Sequence, residues 1–180
     1  GVKKDLRMLG PAVDPTAAIG LNHSKAHIRR VQQQRRDDAV CRLAVAGALT
    51  AVDAVFAGKV RNAFCAIRPP GHHAENKGEY GFCFYNNAAI AARYAKHKHK
   101  IRRVLIVDWD YHHGNGTQWS FYEDPSVLFF STHDLQAFPG RSGSADRKGK
   151  GKGLGYNINA PLPKGATDKQ ILDAFEKKML

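Results

Sequence analysis

The chain has 180 residues, of which 43% are hydrophobic and 24% charged, enough for one compact domain with its own core. No run reaches the roughly eighteen consecutive apolar residues of a membrane span, and GVKKDLRMLG lacks the apolar stretch of a secretory signal, so a soluble intracellular protein is expected. The net charge of +12 raises nucleic acid as a partner, but the basic residues fall in separate blocks with few aromatics among them. These blocks are Arg29, Arg30, Arg35 and Arg36, then KHKHKIRR from Lys96 to Arg103, then RKGKGK from Arg147 to Lys152. Solvated surface is the preferred reading of all three, and an anionic contact the alternative.

Residues 1–36 give a poor periodic signal and read as a mobile or incompletely packed lead-in. From Asp37 the pattern changes. Asp37 or Asp38 caps a predicted helix with apolar Val40, Leu43, Ala44, Ala48, Ala51, Val52 and Val55, ended by Gly58, while Gly47 leaves room for a close neighbour. NAFCAI, residues 62–67, reads as a short buried strand stopped by Arg68-Pro69-Pro70-Gly71. NNAAIAARYAK, residues 86–96, is a predicted helix, and the apolar run 104–107 a strand buried on both faces.

Residues 126–131 and 156–158 add two strand candidates, and Thr167 with Gln170 forms a capping box before a helix carrying Ile171, Leu172, Phe175 and Met179. This alternation predicts an α/β fold with a mainly parallel sheet flanked by helices. The three cysteines, Cys41, Cys65 and Cys83, form no CxxC pair and read as buried free thiols rather than a disulfide, as in a reducing compartment.

Chemistry concentrates in two places. Asp108, Asp110 and His112 are spaced by two where the 104–107 strand runs out, so in extended backbone all three point one way, at a strand's carboxyl end. Trp109 and Tyr111 then point to the other face and read as core. The glycines of His113-Gly114-Asn115-Gly116-Thr117 allow close backbone approach to an ion or substrate. In Pro69-Pro70-Gly71-His72-His73-Ala74-Glu75, paired histidines follow the preceding strand candidate, and on an irregular loop both can face one cleft.

Singly, each of these residues has a bland alternative as a helix cap or surface pair; together they suit a metal site. Catalytic zinc takes three protein ligands and a water whose pKa it lowers to about 7. An imidazole near neutrality can take that proton and return it to a leaving amine. Asp110 and His112 supply two ligands, and His72 with His73 the proton handling.

RPPGHHAE, GFCFYNNAAIAA and VDWDYHHGNGTQ, in this order and separation, resemble the histone deacetylase and acetylpolyamine amidohydrolase superfamily, nearest its second class and bacterial members. The resemblance runs from about Asp38 to Thr167, leaving 1–36 as the poorly matching lead-in and 37–180 as the N-terminal part of a deacetylase-like catalytic domain. It implies an arginase/deacetylase-like fold, incomplete at its C-terminal side, and Zn2+ held by Asp110 and His112.

By the same resemblance Asp108 holds His72, His73 is the general base and acid, and Asn115 stands behind His73 where some relatives have Asp. Gly81 and Phe82 line the acyl-chain channel. K+ is held by backbone at Asp108, Asp110 and His112 with Ser131 and Thr132, and a second such site involves Phe121, Asp124, Val127 and Tyr156. The third zinc ligand and an oxyanion-stabilising Tyr or His are not found among these motifs; His133, Asp134, Glu123 and Asp124 are nearby substitutes without a distinguishing spacing.

The implied function is zinc-dependent removal of acetyl groups from lysine side chains of proteins, with acetylpolyamines as the rival substrate. A non-catalytic binding module with a basic surface is the alternative from another class. A cytoplasmic location is expected, nuclear in a eukaryote being the alternative, with an oligomer permitted.

Overall fold

The structure, a computed structural model, describes residues 6–179; the side chains of Arg35 and Arg36 lie outside the described set, and so do the first five residues of the lead-in and Leu180. The elements in order are α1 (Thr16–Ile19), α2 (Lys25–Gln33), α3 (Arg35–Phe56), α4 (Asn87–His99), β1 (Val104–Asp108), α5 (Asn115–Phe121), β2 (Val127–Asp134), β3 (Asn157–Leu162) and α6 (Asp168–Lys178). The strands form one parallel sheet in the order β1-β2-β3, with helices packed against it, as expected for the α/β class.

Local chemistry accounts for most element ends. The side chain of Ser24 accepts from the His27 amide at the start of α2, and that of Asn86 from the Ala89 amide at the start of α4. The Thr167–Gln170 capping box opens α6 as the sequence predicts. The α3 start differs: no side chain caps it, and Asp38 instead accepts from Tyr85 Oη and Arg42 Nε, both at 2.8 Å. Burial of the Tyr85 ring beside it leaves Asp38 the only route to satisfy that hydroxyl.

Three expectations are corrected by packing. First, the lead-in is part of the core over residues 16–33. Ile19 and Val31 are fully buried with Cys41, Val45, Leu49, Tyr85 and Ile90. The periodic signal was weak because α1 has only one turn and α2 alternates basic residues with few apolar ones.

Second, α3 buries Cys41, Ala44, Val45, Ala48 and Leu49, whereas Val40, Leu43 and Val55 remain exposed. The helix is apolar on most sides, so its neighbours α2 and α4 select the face. By length and hydropathy Asp37–Phe56 also suffices to cross a membrane, a test that core helices pass too. Gly47 does meet a close neighbour: a Cβ there would lie 3.1 Å from Ile67 Cγ2.

Third, residues 62–67 form no strand. Phe64 is 93% exposed and Cys65 is exposed, because no described segment offers this stretch a ladder partner. β1 is likewise an edge strand with Leu105 open to solvent, rather than buried on both faces. In α6, Ala174, Phe175 and Met179 pack below Phe130, while Leu172 faces outward. Cys41 and Cys83 are buried free thiols as expected.

Truncating Ile19 tests the integration of the lead-in. Ile19→Ala should cost about 2–5 kcal/mol, as for a fully buried aliphatic side chain, seen as a lowered thermal or denaturant midpoint. A midpoint unchanged from the parent would show that residues 16–33 do not belong to the cooperative core.

Candidate functional site

Sheet register brings the two motif loops together. β1 pairs with β2 so that Asp108 lies opposite Ser131, and the chain beyond Asp108 turns into α5. The histidine loop, residues 71–75, sits against the first turn of α5. The His72 carbonyl accepts from the amides of Gly116 (2.9 Å) and Thr117 (3.2 Å), two of the orphan donors of that helix start. A Cβ at Gly116 would overlap the carbonyl of Ala74, so glycine here admits the neighbouring loop rather than an ion.

The convergence of Asp108, Asp110 and His112 has a cause other than strand alternation. β1 ends at Asp108, and each carboxylate folds the backbone onto itself: Asp108 Oδ1 accepts from the Asp110 amide (3.2 Å) and Asp110 Oδ1 from the His112 amide (2.8 Å). These are Asx turns. They place His112 Nδ1 at 3.3 Å from Asp110 Oδ1, and Asp110 at 4.0 Å from His72 Nε2. Without extended backbone, Trp109 and Tyr111 do not enter the core. Trp109 is 74% exposed, and Tyr111 Oη donates to Asp134 Oδ2 at 2.7 Å.

The His72 and His73 rings lie side by side, their centres 4.0 Å apart, with His73 buried. Their back sides differ. His72 Nδ1 lies 2.9 Å from Asp108 Oδ2, while His73 Nδ1 lies 2.8 Å from Asn115 Oδ1. Burial pushes the His72 imidazole down, but the Asp108 hydrogen bond and the charges of Asp108 and Asp110 outweigh it and raise its pKa above the usual value. Burial also pushes His73 down, the neighbouring His72 adds to this, and the neutral Asn115 is too weak to reverse it. The two rings are therefore biased in opposite directions, His72 towards its charged form and His73 towards its free base.

Gly81 and Phe82 lie beside His73, both with positive φ, 54° and 63°. A Cβ at Gly81 would overlap the His73 ring and come 3.1 Å from Phe138 Cε1, so glycine is required by space as well as by backbone. Phe138 packs edge-on against His73, with ring centres 4.9 Å apart, and Phe82 projects into solvent. Phe138 lies outside the motifs read from the sequence, on the Phe138-Pro139-Gly140 turn. Glu75 was missed as well: its Oε1 accepts from Asn115 Nδ2 at 3.0 Å.

Ser131 and Thr132 are buried on β2, and Ser131 Oγ bonds His133 Nδ1 at 2.9 Å. None of the four substitute ligands joins Asp110 and His112. His133 is bound to Ser131 and Gly143, Asp134 to Tyr111, Glu123 to Lys150, and Asp124 to Ser126 and Lys96. Among the described residues there is no group of three His, Cys, Asp or Glu able to hold a metal ion. Asp110 and His112 are a half-exposed oxygen and nitrogen pair, which suits two of the three places around a catalytic zinc.

The His72–Asp108 pair predicts a measurable sign. Because the folded pKa lies above the unfolded value of about 6.5, the pair stabilises the protein fully below that pH, and the contribution fades as pH rises through the folded pKa. Asp108→Asn should lower the His72 titration midpoint, read by NMR in chelator. Its stability deficit should be larger at about pH 6 than at about pH 8. A His72 midpoint unmoved by the substitution would contradict the pairing.

Comparison with known proteins identifies the family of this fold. The family described as "Histone deacetylase domain" matches residues 34–180. The chain is 49% identical over 139 residues to "Polyamine deacetylase HDAC10" of Danio rerio, covering 74% of this chain and 21% of that protein. It is 45% identical over 142 residues to "Histone deacetylase 10, chloroplastic" of Oryza sativa subsp. japonica, covering 76% and 32%. The crystal structure of the HDA15 HD domain superposes with a TM-score of 0.88 at 34% identity, covering 95% of this chain and 53% of that one. The chain thus spans about a fifth to a third of these curated relatives and about half of the solved domain. With a parallel sheet, flanking helices and the whole span from residue 34 onward in common, the chain belongs to the histone deacetylase domain family.

Proposed function

We propose that the protein carrying this chain is a zinc-dependent amidohydrolase that removes acetyl groups from primary-amine chains, a protein lysine or a polyamine. The observation that carries this reading is the pair of adjacent histidines pushed in opposite directions, with Asp110 4.0 Å from His72 and the His112 ring centre 5.9 Å from that of His73. Asp110 and His112 would hold the zinc, with the third ligand drawn from outside the described residues. Bound there, zinc supplies a Lewis acid that acidifies water and polarises the acyl carbonyl.

The protein's own residues supply the proton handling. His73, favoured as the free base, takes a proton from the attacking water on Nε2, because its Nδ1 faces Asn115. When the carbon–nitrogen bond breaks, the same proton passes to the departing amine, leaving acetate and the free amine. His72, held by Asp108 and favoured as the cation, offers a positive donor beside the reacting centre. Gly81 offers its carbonyl to a substrate amide, and Phe82 with Phe138 flanks the aliphatic chain. In the K+ reading, the cation draws on the backbone near Asp108 with Ser131 and Thr132, which lie alongside it on β2.

The acetylpolyamine substrate has a specific observation in its favour, the 49% identity to a relative named a polyamine deacetylase. Assay of the intact protein on an acetyl-lysine peptide and on acetylputrescine should show turnover that is abolished by a chelator and restored by zinc. His73→Ala should reduce kcat by roughly 10²–10⁴-fold, as for loss of a general base, and Asp110→Ala should remove both activity and bound zinc. Turnover indifferent to the chelator would sink the zinc reading. Absence of turnover with no zinc retained would point instead to a binding module.

A further inference from the structure

The carboxamide behind His73 can be oriented in two ways, and the structure contains the group that chooses. Asn115 is 5% exposed, with Oδ1 at 2.8 Å from His73 Nδ1 and Nδ2 at 3.0 Å from Glu75 Oε1. A carboxylate only accepts hydrogen bonds. Its neighbour on Asn115 must therefore be the NH2 group, which turns Oδ1 towards His73 and requires a proton on His73 Nδ1. With the amide reversed, two acceptors would abut with no proton between them, in a buried place.

We propose that Glu75 is a positioning residue for His73: through Asn115 it fixes the imidazole proton on Nδ1 and leaves Nε2 as the ring's unprotonated nitrogen. Its role in turnover rests on the hydrolase reading above, whereas the polarity of the relay does not. Glu75 is itself anchored. Its amide donates to Gly78 O at 2.9 Å, and its carbonyl accepts from His23 Nδ1 at 2.9 Å. His23 polarity is unambiguous, since its Nε2 accepts from the Asn86 amide at 2.9 Å and so must be unprotonated. The helix α2 boundary thus holds the loop that holds the relay.

The arrangement also explains which residue position 115 tolerates. Asp at 115 would set two carboxylates against each other, so Glu75 and Asn115 belong together as acceptor and donor. Glu75→Gln keeps an acceptor oxygen for Asn115, and the pair Glu75→Gln with Asn115→Asp restores one donor and one acceptor with their order exchanged.

The test uses the intact protein with nitrogen-15-labelled histidine, reading the His73 ring shifts alongside kcat and KM on both acetylated substrates. Glu75→Ala should replace the Nδ1–H signature by a mixture of tautomers and lower kcat ~10–100-fold with KM little changed, as for loss of an outer orienting partner. Glu75→Gln, which can donate as well as accept, should permit both orientations of the Asn115 amide and fall between the parent and Glu75→Ala. Asn115→Asp should keep the Nδ1–H signature, because a carboxylate also accepts there, but should lower kcat through the two carboxylates set against each other, and it should be substantially rescued in the double variant. Circular dichroism checks the fold, and were Glu75→Ala unfolded, the double variant decides. A Glu75→Ala protein retaining the parental shifts and kcat, or a double variant no better than Asn115→Asp alone, overturns the proposal. If the parent itself shows no turnover, the hydrolase reading fails and the ring shifts alone judge the relay.

Discussion

The seating of the histidine loop on the first turn of α5 is the interaction on which the rest of the site depends. The His72 carbonyl takes two backbone amides that the helix itself cannot satisfy. That contact spans more than forty residues of sequence and needs a glycine at 116, since any side chain there would meet the Ala74 carbonyl. Once it is made, His72 falls on Asp108 and His73 on Asn115 without further choice. The same close approach buries Asn115, Thr117 and Gln118, so the floor of the site is polar and densely hydrogen-bonded. Asn86 ties this floor to α4 through Thr117 Oγ1 at 3.1 Å, and it caps α4 with the same side chain.

Two imidazoles 4 Å apart would ordinarily compete for one proton. Here their rear partners separate them. A carboxylate behind His72 and a carboxamide behind His73 push the two histidines in opposite directions, under burial that penalises the charged form of both. A third histidine, His113, is buried deeper with His133 beside it and is pushed down to about 3. It behaves as a neutral structural ring, with Nδ1 on Ser142 Oγ at 2.8 Å. Identity of residue type therefore says little about role in this cluster, and the partner behind each ring says most.

Much was legible in the sequence because it rests on short-range physics. The Thr167–Gln170 capping box joins residues three apart, and α4, α6 and β1 to β3 lie where periodicity and apolar runs put them. The Asp108-Trp109-Asp110-Tyr111-His112 motif was recognised as a converging set, although the convergence comes from Asx turns and not from a pleat. Glu75 lies within a noticed motif and Phe138 outside all of them, but their partners Asn115 and His73 are remote in sequence, and no local rule joins them.

What the sequence by itself determined was the long helices α3, α4 and α6, the three strands, the parallel α/β class and the chemistry-bearing motifs, because caps, turns and hydrophobic periods act within a few residues. What only the tertiary structure decided was which surfaces meet. It chose Cys41, Val45 and Leu49 over Val40 and Leu43 as the buried face of an almost uniformly apolar helix. It drew residues 16–33 into the core and left residues 62–67 without a ladder partner. It also set a carboxylate behind one histidine and a carboxamide, itself turned by Glu75, behind the next. A side chain's burial and hydrogen-bond partners are properties of distant neighbours, and these alone distinguish His72 from His73.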